Sequence, residues 1–160
     1  MERKHEKYER LIARCKALTP VPTAVAHPCD ESSLKGAVEA AELGILQPIL
    51  VGPKARIEAV AAQFQLDIAR YEIVDAPHSH GAADLAVQLA REGKAEMLMK
   101  GSLHTDELMG AVVRTGTGLR TERRISHAFI MDVPSLDRAI IVTDAAINIF
   151  PTLEDKVHIT

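Results

Sequence analysis

Short apolar runs alternate along this chain with longer stretches in which apolar residues return every three or four positions. The short runs are rich in Val, Ile, Ala and Leu, and most are bounded by Gly or Pro, a pattern typical of buried strands. They predict six strands, at residues 23–27, 48–51, 72–75, 96–100, 127–133 and 139–143.

The longer stretches have the period of amphipathic helices. They predict helices at residues 6–18, 32–43, 54–63, 79–91 and 105–113. Ser32 or Ser33 is suited to cap the second helix, because a serine hydroxyl can accept from a free backbone N–H. Gly44 and Gly93 follow two of the helices and are suited to end them.

Strands that alternate with helices indicate βαβ units and a mainly parallel sheet with helices on both faces. The predicted fold class is therefore α/β, with three α/β/α layers and right-handed crossovers. Ligands of such sheets bind beyond the carboxyl ends of the strands. That rule directs attention to the residues that follow Val25, Val51, Val74, Met99 and Val142.

The last ten residues predict the start of another helix. Pro151 and Thr152 open it, and Asp155 stands where a capping partner belongs. The final turn carries Val157 and Ile159 without a residue that ends a helix, and such apolar residues need a surface to pack against. We expect the natural sequence to continue; the alternative is a terminal helix that docks on the sheet.

Composition and charge argue against several classes of protein, namely nucleic-acid-binding, disulfide-rich, secreted and membrane-spanning proteins. Apolar residues make up 47% of the chain, enough for a core, and the net charge of −3 disfavours nucleic acid as a partner. Cys15 and Cys29 indicate no disulfide framework. The charged first ten residues lack a signal-peptide core, and no apolar run approaches the ~20 residues of a membrane span. We therefore expect a cytoplasmic protein that binds no membrane.

The first candidate site is the turn that leaves the fourth strand. Lys100 brings a charge, Gly101 allows a ligand close to the backbone, and Ser102 and Thr105 bring hydroxyl groups. Backbone N–H groups at the following helix start can bind an anion such as a phosphoryl group. The alternative is an ordinary βα turn, because the acidic residues at positions 106 and 107 can satisfy the helix dipole themselves.

Two further segments carry candidate chemistry. Residues 114–124 hold four arginines that can clamp phosphates, or that form a solvated loop; Arg123 and Arg124 are the candidates there. Asp144 and Asn148 follow the most apolar strand, after Thr143. Asn148 can donate to a developing oxyanion, and Asp144 can act as a base or orient an arginine. The alternative for this segment is a simple capping turn.

Metal and nucleotide motifs are weak. His27 and Cys29 are metal-binding residue types, but a proline separates them and no second cluster follows, so we expect no zinc site. His78 and His80 favour a turn before a helix rather than a metal site. Gly116 and Gly118 lack the third glycine of a dinucleotide fingerprint, which counts against a nucleotide-binding oxidoreductase.

Taken together, these segments resemble the phosphate acetyl/butyryltransferase family, especially its butyryl-type branch and the acyltransferase half of proteins that also carry an enoyl-CoA hydratase domain. The matching pieces occur in the family's order over essentially the whole chain. They read PTAVAHPCDESSLKGAVEAAELG, QPILVGP, MLMKGSLHTDEL, GLRTERRISHAFIMDVP and IVTDAAINIFPTLEDK.

The resemblance implies an amino-terminal fragment of an enzyme with two α/β domains, similar in architecture to the isocitrate and isopropylmalate dehydrogenases. Residues 1–145 would form the first domain, and residues 146–160 would begin the second. It implies the reaction of acyl-CoA with phosphate to give acyl phosphate and coenzyme A, with no cofactor and no obligatory metal. A fragment that exposes its inter-domain face is also expected to self-associate, as a homodimer or larger assembly, because large apolar patches bind partners.

The resemblance assigns roles to ten residues. The catalytic candidates are Ser102, His104, Asp144 and Asn148. The substrate-binding candidates are Lys100, Gly101, Thr105, Arg123, Arg124 and Thr143.

The chain departs from the family pattern in two places. The family's carboxyl-terminal catalytic segment contains a Ser-Arg pair, and no such dipeptide occurs here. The acetyl-type branch has an arginine in the helix after the Gly-x-x-His turn, where this chain reads ELMG at residues 107–110. A non-catalytic domain that binds coenzyme A or phosphate, or an inactive one, is therefore the alternative for the isolated chain.

Overall fold

The computed structural model describes residues 6–159. The six strands are β1 (Val21–Ala26), β2 (Leu46–Gly52), β3 (Glu72–Asp75), β4 (Met97–Lys100), β5 (Ala128–Met131) and β6 (Ile140–Thr143). The six helices are α1 (Glu6–Lys16), α2 (Glu31–Glu42), α3 (Lys54–Gln63), α4 (Ser79–Arg91), α5 (Thr105–Val112) and α6 (Leu153–Ile159). Each predicted element is present, with bounds shifted by at most a few residues.

The first four strands form one sheet in the order β3-β2-β1-β4, and all three pairings are parallel. Strand β1 is central: Ala26 lies opposite Val51 of β2 on one side and Lys100 of β4 on the other. The predicted parallel sheet is confirmed. Because the strands are parallel, their carboxyl ends meet at one edge, where the Lys100 turn leaves β4.

Two apolar clusters cover the two faces of this sheet. Ala24 and Ala26 pack towards α4 and α5, whereas Val25 packs towards α2 and α3. Alternate residues of a strand face opposite sides, so a fully apolar strand can serve both clusters. The predicted three-layer α/β/α arrangement is therefore confirmed.

Helix α2 begins differently from the prediction. Its N-cap is Asp30, whose carboxylate accepts from the backbone N–H of Ser33 at 2.8 Å. Ser32 and Ser33 lie inside the helix instead, so their assignment as caps was wrong. Asp and Ser are equally suited to cap a helix, and the chain offers all three within four residues, so the sequence alone did not separate them.

Strands β5 and β6 pair antiparallel in a second sheet, with Phe129 opposite Val142. Helix α6 begins as predicted. The N–H of Thr152 donates to the Asp155 carboxylate at 2.9 Å, and the N–H of Asp155 donates to the Thr152 hydroxyl at 3.2 Å. This reciprocal pairing satisfies two free donors at the helix start.

The chain divides into two compact units. One comprises residues 16–120, and the other comprises residues 1–15 together with residues 121–160. Among residues 6–159, every fully buried side chain belongs to the unit of residues 16–120. The domain boundary that we expect after residue 145 concerns a longer protein and stays a prediction. None of the described helices is long and apolar enough to cross a membrane.

Candidate functional site

Three turns meet at the carboxyl edge of the parallel sheet, and His27 lies at their centre. It follows the middle strand β1, is 6% exposed, and has a left-handed backbone with φ of 56°. Its backbone N–H donates to the carbonyl of Val51 in β2 at 2.7 Å. A buried non-glycine residue in this conformation is uncommon, which marks the turn as held by its surroundings.

Gly101 brings the turn after β4 against this centre. A Cβ atom added at Gly101 would lie 2.4 Å from the carbonyl oxygen of Ala26 and 2.5 Å from that of His27. The N–H of Gly101 donates to the Ala26 carbonyl at 2.8 Å. Only glycine fits this approach, so Gly101 has a structural role in addition to any role in ligand binding.

Ser102 joins the two turns by five hydrogen-bonding contacts, one of which lies between its hydroxyl oxygen and the His27 Nδ1 atom at 3.2 Å. Its hydroxyl donates to the His27 carbonyl at 2.9 Å and accepts from the N–H of Cys29 at 3.1 Å. Its backbone N–H donates to the same His27 carbonyl at 2.8 Å. The His27 Nδ1 atom lies 3.1 Å from the Ser102 carbonyl. The hydroxyl group of Ser102 thus donates its proton to the His27 carbonyl, and this hydrogen bond helps to position the turn.

The ammonium group of Lys100 lies over the turn that follows it. It donates to the carbonyl of Leu103 at 2.7 Å and to the carbonyl of Gly101 at 3.2 Å. An ammonium group has three N–H donors, so one donor is left for a ligand. Within residues 6–159, Lys100 forms no ion pair. Its positive charge at the sheet edge is therefore not neutralised by a carboxylate.

The start of α5 is occupied by a side chain of that helix. Glu107 accepts from the backbone N–H of His104 at 2.8 Å and from the hydroxyl of Ser79 at 2.6 Å. The Ser79 hydroxyl, the His104 N–H and the nearby His80 hold the pKa of Glu107 below its usual range. Part of the helix dipole is thus satisfied internally, while the side chains of His104 and Thr105 are exposed.

The turn after β6 belongs to the other unit and is built around Asp144. Its carboxylate accepts from the N–H groups of Ile147 and Ala146, and it contacts the side-chain amide of Asn148. The Ile147 N–H, with the other donors, holds the pKa of Asp144 far below its usual range. Asn148 also donates to the carbonyl of Ile125 at 3.0 Å, so both its N–H groups are engaged.

Three predicted substrate-binding residues belong to the same unit as Asp144. Arg124 forms an ion pair with Asp155 at the start of α6, whereas the guanidinium of Arg123 has no ion-pair partner among the described residues. The hydroxyl of Thr143 donates to the carbonyl of His127 at 2.9 Å. Of the two arginines, Arg123 is the one whose charge is available to a ligand.

Sequence reasoning missed the role of His27. We considered it only as a metal ligand, and the part of the chain that the structure describes holds no cluster of three or more metal-binding side chains. Burial raises the pKa of the neighbouring Cys29 thiol, which disfavours the reactive thiolate. The available signal was position: His27 is the first residue after the central strand, where ligand sites of such sheets lie.

The comparisons of this chain with a family profile and with curated proteins agree with one another. The profile of a family described as "Phosphate acetyl/butaryl transferase" matches residues 81–160. A phosphate acetyltransferase of Rhizobium meliloti is 63% identical over 150 residues, which are 94% of this chain and 48% of that protein. A phosphate butyryltransferase of Clostridium beijerinckii is 39% identical over 95% of this chain and 50% of that protein. The chain spans about half the length of these curated relatives.

The fold is shared with a solved structure. A phosphotransacetylase from Streptococcus pyogenes superposes with a TM-score of 0.75, at 17% sequence identity, over 97% of this chain and 55% of that one. At this identity the likeness establishes the fold alone. The parallel sheet at whose edge Lys100, Gly101 and Ser102 lie is thus part of an architecture already seen in solved structures.

Proposed function

Because the chain belongs to the phosphate acetyl/butyryltransferase family, we propose that the protein transfers a short acyl group between coenzyme A and inorganic phosphate. A phosphate oxygen attacks the thioester carbonyl of acyl-CoA, the C–S bond breaks, and the thiolate leaves and takes up a proton. In the reverse direction the coenzyme A thiolate attacks the carbonyl carbon of the acyl phosphate. Coenzyme A is a substrate here, and the proposal needs no separate cofactor.

One observation carries the proposal: the family match at residues 81–160 includes both the Lys100 turn and the Asp144 turn. The geometry supports it, since the Lys100 ammonium, which has no carboxylate partner among the described residues, lies at the sheet edge where ligands of such folds bind. A preorganised charge of this kind stabilises the negative charge that gathers on the phosphate and on the reacting carbonyl oxygen.

The other predicted residues receive roles that suit their contacts. We assign Gly101 and Ser102 to shaping the turn, and the exposed side chains of His104 and Thr105 to contacting phosphate or the carbonyl oxygen. The lowered pKa of Asp144 makes its carboxylate a weaker base than an ordinary aspartate. We therefore favour an orienting role for Asp144 and do not assign it as the base for the thiol.

The acyl-transfer proposal is tested with a chimeric enzyme. This chain replaces the matching half of the Rhizobium meliloti relative, and free thiol release from acetyl-CoA or butyryl-CoA is followed in phosphate buffer. We expect phosphate-dependent release. A chimera that folds but releases no thiol, beside an active parent enzyme, would contradict the proposal.

Lys100→Ala in that chimera is expected to lower the rate ~10²-fold or more, as removal of a charge-stabilising donor does. Lys94→Ala is the matched control, because Lys94 is exposed and paired with Glu92 beyond the opposite end of β4. It should leave the rate unchanged. A loss under threefold for Lys100→Ala would remove this side chain from the site.

The isolated chain has a second candidate function, as a domain that binds phosphate or coenzyme A without catalysis. The absence of a Ser-Arg dipeptide favours it, since the family's catalytic segment carries that pair. Phosphate binding without thiol release by the chain alone would support this reading. A cytoplasmic location and a homodimer or larger assembly remain part of the proposal.

A further inference from the structure

The turn after β2 also packs against the turn centred on His27. A Cβ atom added at Gly52 would lie 3.3 Å from the Cα atom of His27 and 3.7 Å from the sulfur of Cys29. Gly101 approaches the same turn from the β4 side. The turns after β2, β1 and β4 are therefore contiguous, and the side chains they carry share one edge of the sheet.

The carboxylates at this edge are used as helix caps. Asp30 accepts from the backbone N–H of Ser33 at 2.8 Å and from its hydroxyl at 2.6 Å, at the start of α2. Asp75 accepts from the backbone N–H of Lys54 at 2.8 Å, at the start of α3. Each carboxylate thus meets the positive end of a helix. Neither of them forms an ion pair within residues 6–159.

Two cations at this edge keep their charge available. Arg56 lies in the first turn of α3, is exposed, and has no ion-pair partner within residues 6–159. Lys100 on the other side has only backbone carbonyls as partners. Bonds from Ser33 lower the pKa of Asp30 most, and the charges of Lys100 and Arg56 lower it further. Asp30 therefore lies within the electrostatic reach of both cations.

We propose that Arg56 is a second anion-binding residue of this site, and that Arg56 and Lys100 together hold the diphosphate group of a ligand. The inference rests on the proposed function, in which coenzyme A supplies such a group. Arg56 lies in the helical turn that follows β2 and Lys100 ends β4, so both lie at the carboxyl ends of the two strands that flank β1. One phosphoryl group contacts one of these cations, whereas two linked groups engage both.

Arginine suits this role because its planar guanidinium can make two parallel hydrogen bonds to a phosphoryl group. Lys54, in the same helical turn, is less suited to bind a phosphoryl group. Its ammonium lies 3.9 Å from the carboxylate of Glu58 on the adjacent turn of α3. The two residues are both exposed and basic, so Lys54 is a matched control for Arg56.

The experiment measures binding of inorganic phosphate and of inorganic pyrophosphate to the 160-residue chain by isothermal titration calorimetry. We expect pyrophosphate to bind at least ~10-fold more tightly than phosphate, since a hydrogen bond between charged groups contributes about that much. Arg56→Ala should weaken pyrophosphate ~10-fold or more and phosphate less than twofold. Lys54→Ala should change neither, and Lys100→Ala should weaken both. Circular dichroism verifies that each variant is folded.

Equal effects of Arg56→Ala and Lys54→Ala on pyrophosphate would overturn the inference, and so would an unchanged pyrophosphate-to-phosphate ratio in Arg56→Ala. In either case a loss of phosphate binding in Lys100→Ala would leave the proposed function standing. Absence of binding of both anions to the wild-type chain would also overturn the inference. Thiol release by the chimeric enzyme then decides the proposed function independently.

Discussion

Single residues at the sheet edge decide how close two turns approach. Gly101 lies against two carbonyl oxygens at distances that no Cβ atom tolerates. Gly101→Ala is expected to destabilise the protein by about 1–3 kcal/mol or more, because backbone rather than a flexible side chain must move. Urea unfolding followed by circular dichroism measures the loss.

Gly110→Ala is the matched control for that variant. Gly110 lies within α5, is exposed, and has no atom within 4 Å of an added Cβ. Alanine in a helix is favoured over glycine by roughly 0.5–1 kcal/mol, so this variant should gain stability. A loss of stability in Gly101→Ala and a gain in Gly110→Ala would separate the effect of close backbone approach from that of helix propensity. Stability changes of the same sign in both variants would contradict this account.

At the scale of elements, α2 depends on the Asp30 carboxylate at its start. Asp30→Ala should cost about 1 kcal/mol at neutral pH, since an alanine cannot accept from the free N–H of Ser33. Asp30→Asn should cost little, because asparagine caps as well as aspartate. Thermal unfolding of both variants beside wild type measures the difference.

The same residue makes α2 sensitive to acid. The pKa of Asp30 is lower in the folded protein, chiefly through its bonds with Ser33, than the roughly 3.9 of an unfolded aspartate. The stability it contributes is thus fully present above about pH 5 and is lost as pH falls through the folded pKa. Asp30→Asn should lose less stability than wild type below pH 4, and parallel curves would contradict this.

On the scale of the whole molecule, the apolar side chains are distributed unevenly between the two units. The unit of residues 1–15 and 121–160 has no fully buried side chain among its described residues. Its apolar residues face outwards instead: Phe150 is 94% exposed, Ile149 83% and Ile141 67%. Large apolar side chains exposed to this extent favour binding of a partner.

Self-association of the chain is the expected consequence. Light scattering coupled to size exclusion should give a mass above that of the monomer, rising with concentration. Phe150→Asp should shift the chain towards the monomer. Leu18→Asp, at a side chain that is 69% exposed in the other unit, is the control and should not. A monomer at all concentrations in the wild-type chain would contradict the expectation.

The sequence by itself determined the order and type of the elements. Alternation of apolar runs with helical periods is a local property, and β3 and α4 have the predicted bounds, residues 72–75 and 79–91. Gly44 and Gly93 follow α2 and α4 with φ of 71° and 72°, as glycines that end helices do. The position of the Lys100 turn at a ligand-binding edge followed from the predicted parallel sheet.

Only the tertiary structure decided what the polar groups at that edge do. Asp30 caps α2 in place of two serines, the Ser102 hydroxyl is turned to His27, and His27 lies at the centre of three turns. The Asp30 cap is a local bond to Ser33, whereas the contacts between His27 and Ser102 join residues 75 positions apart. Periodicity along the chain carries no information about such partners, because they meet only when the parallel strands are side by side.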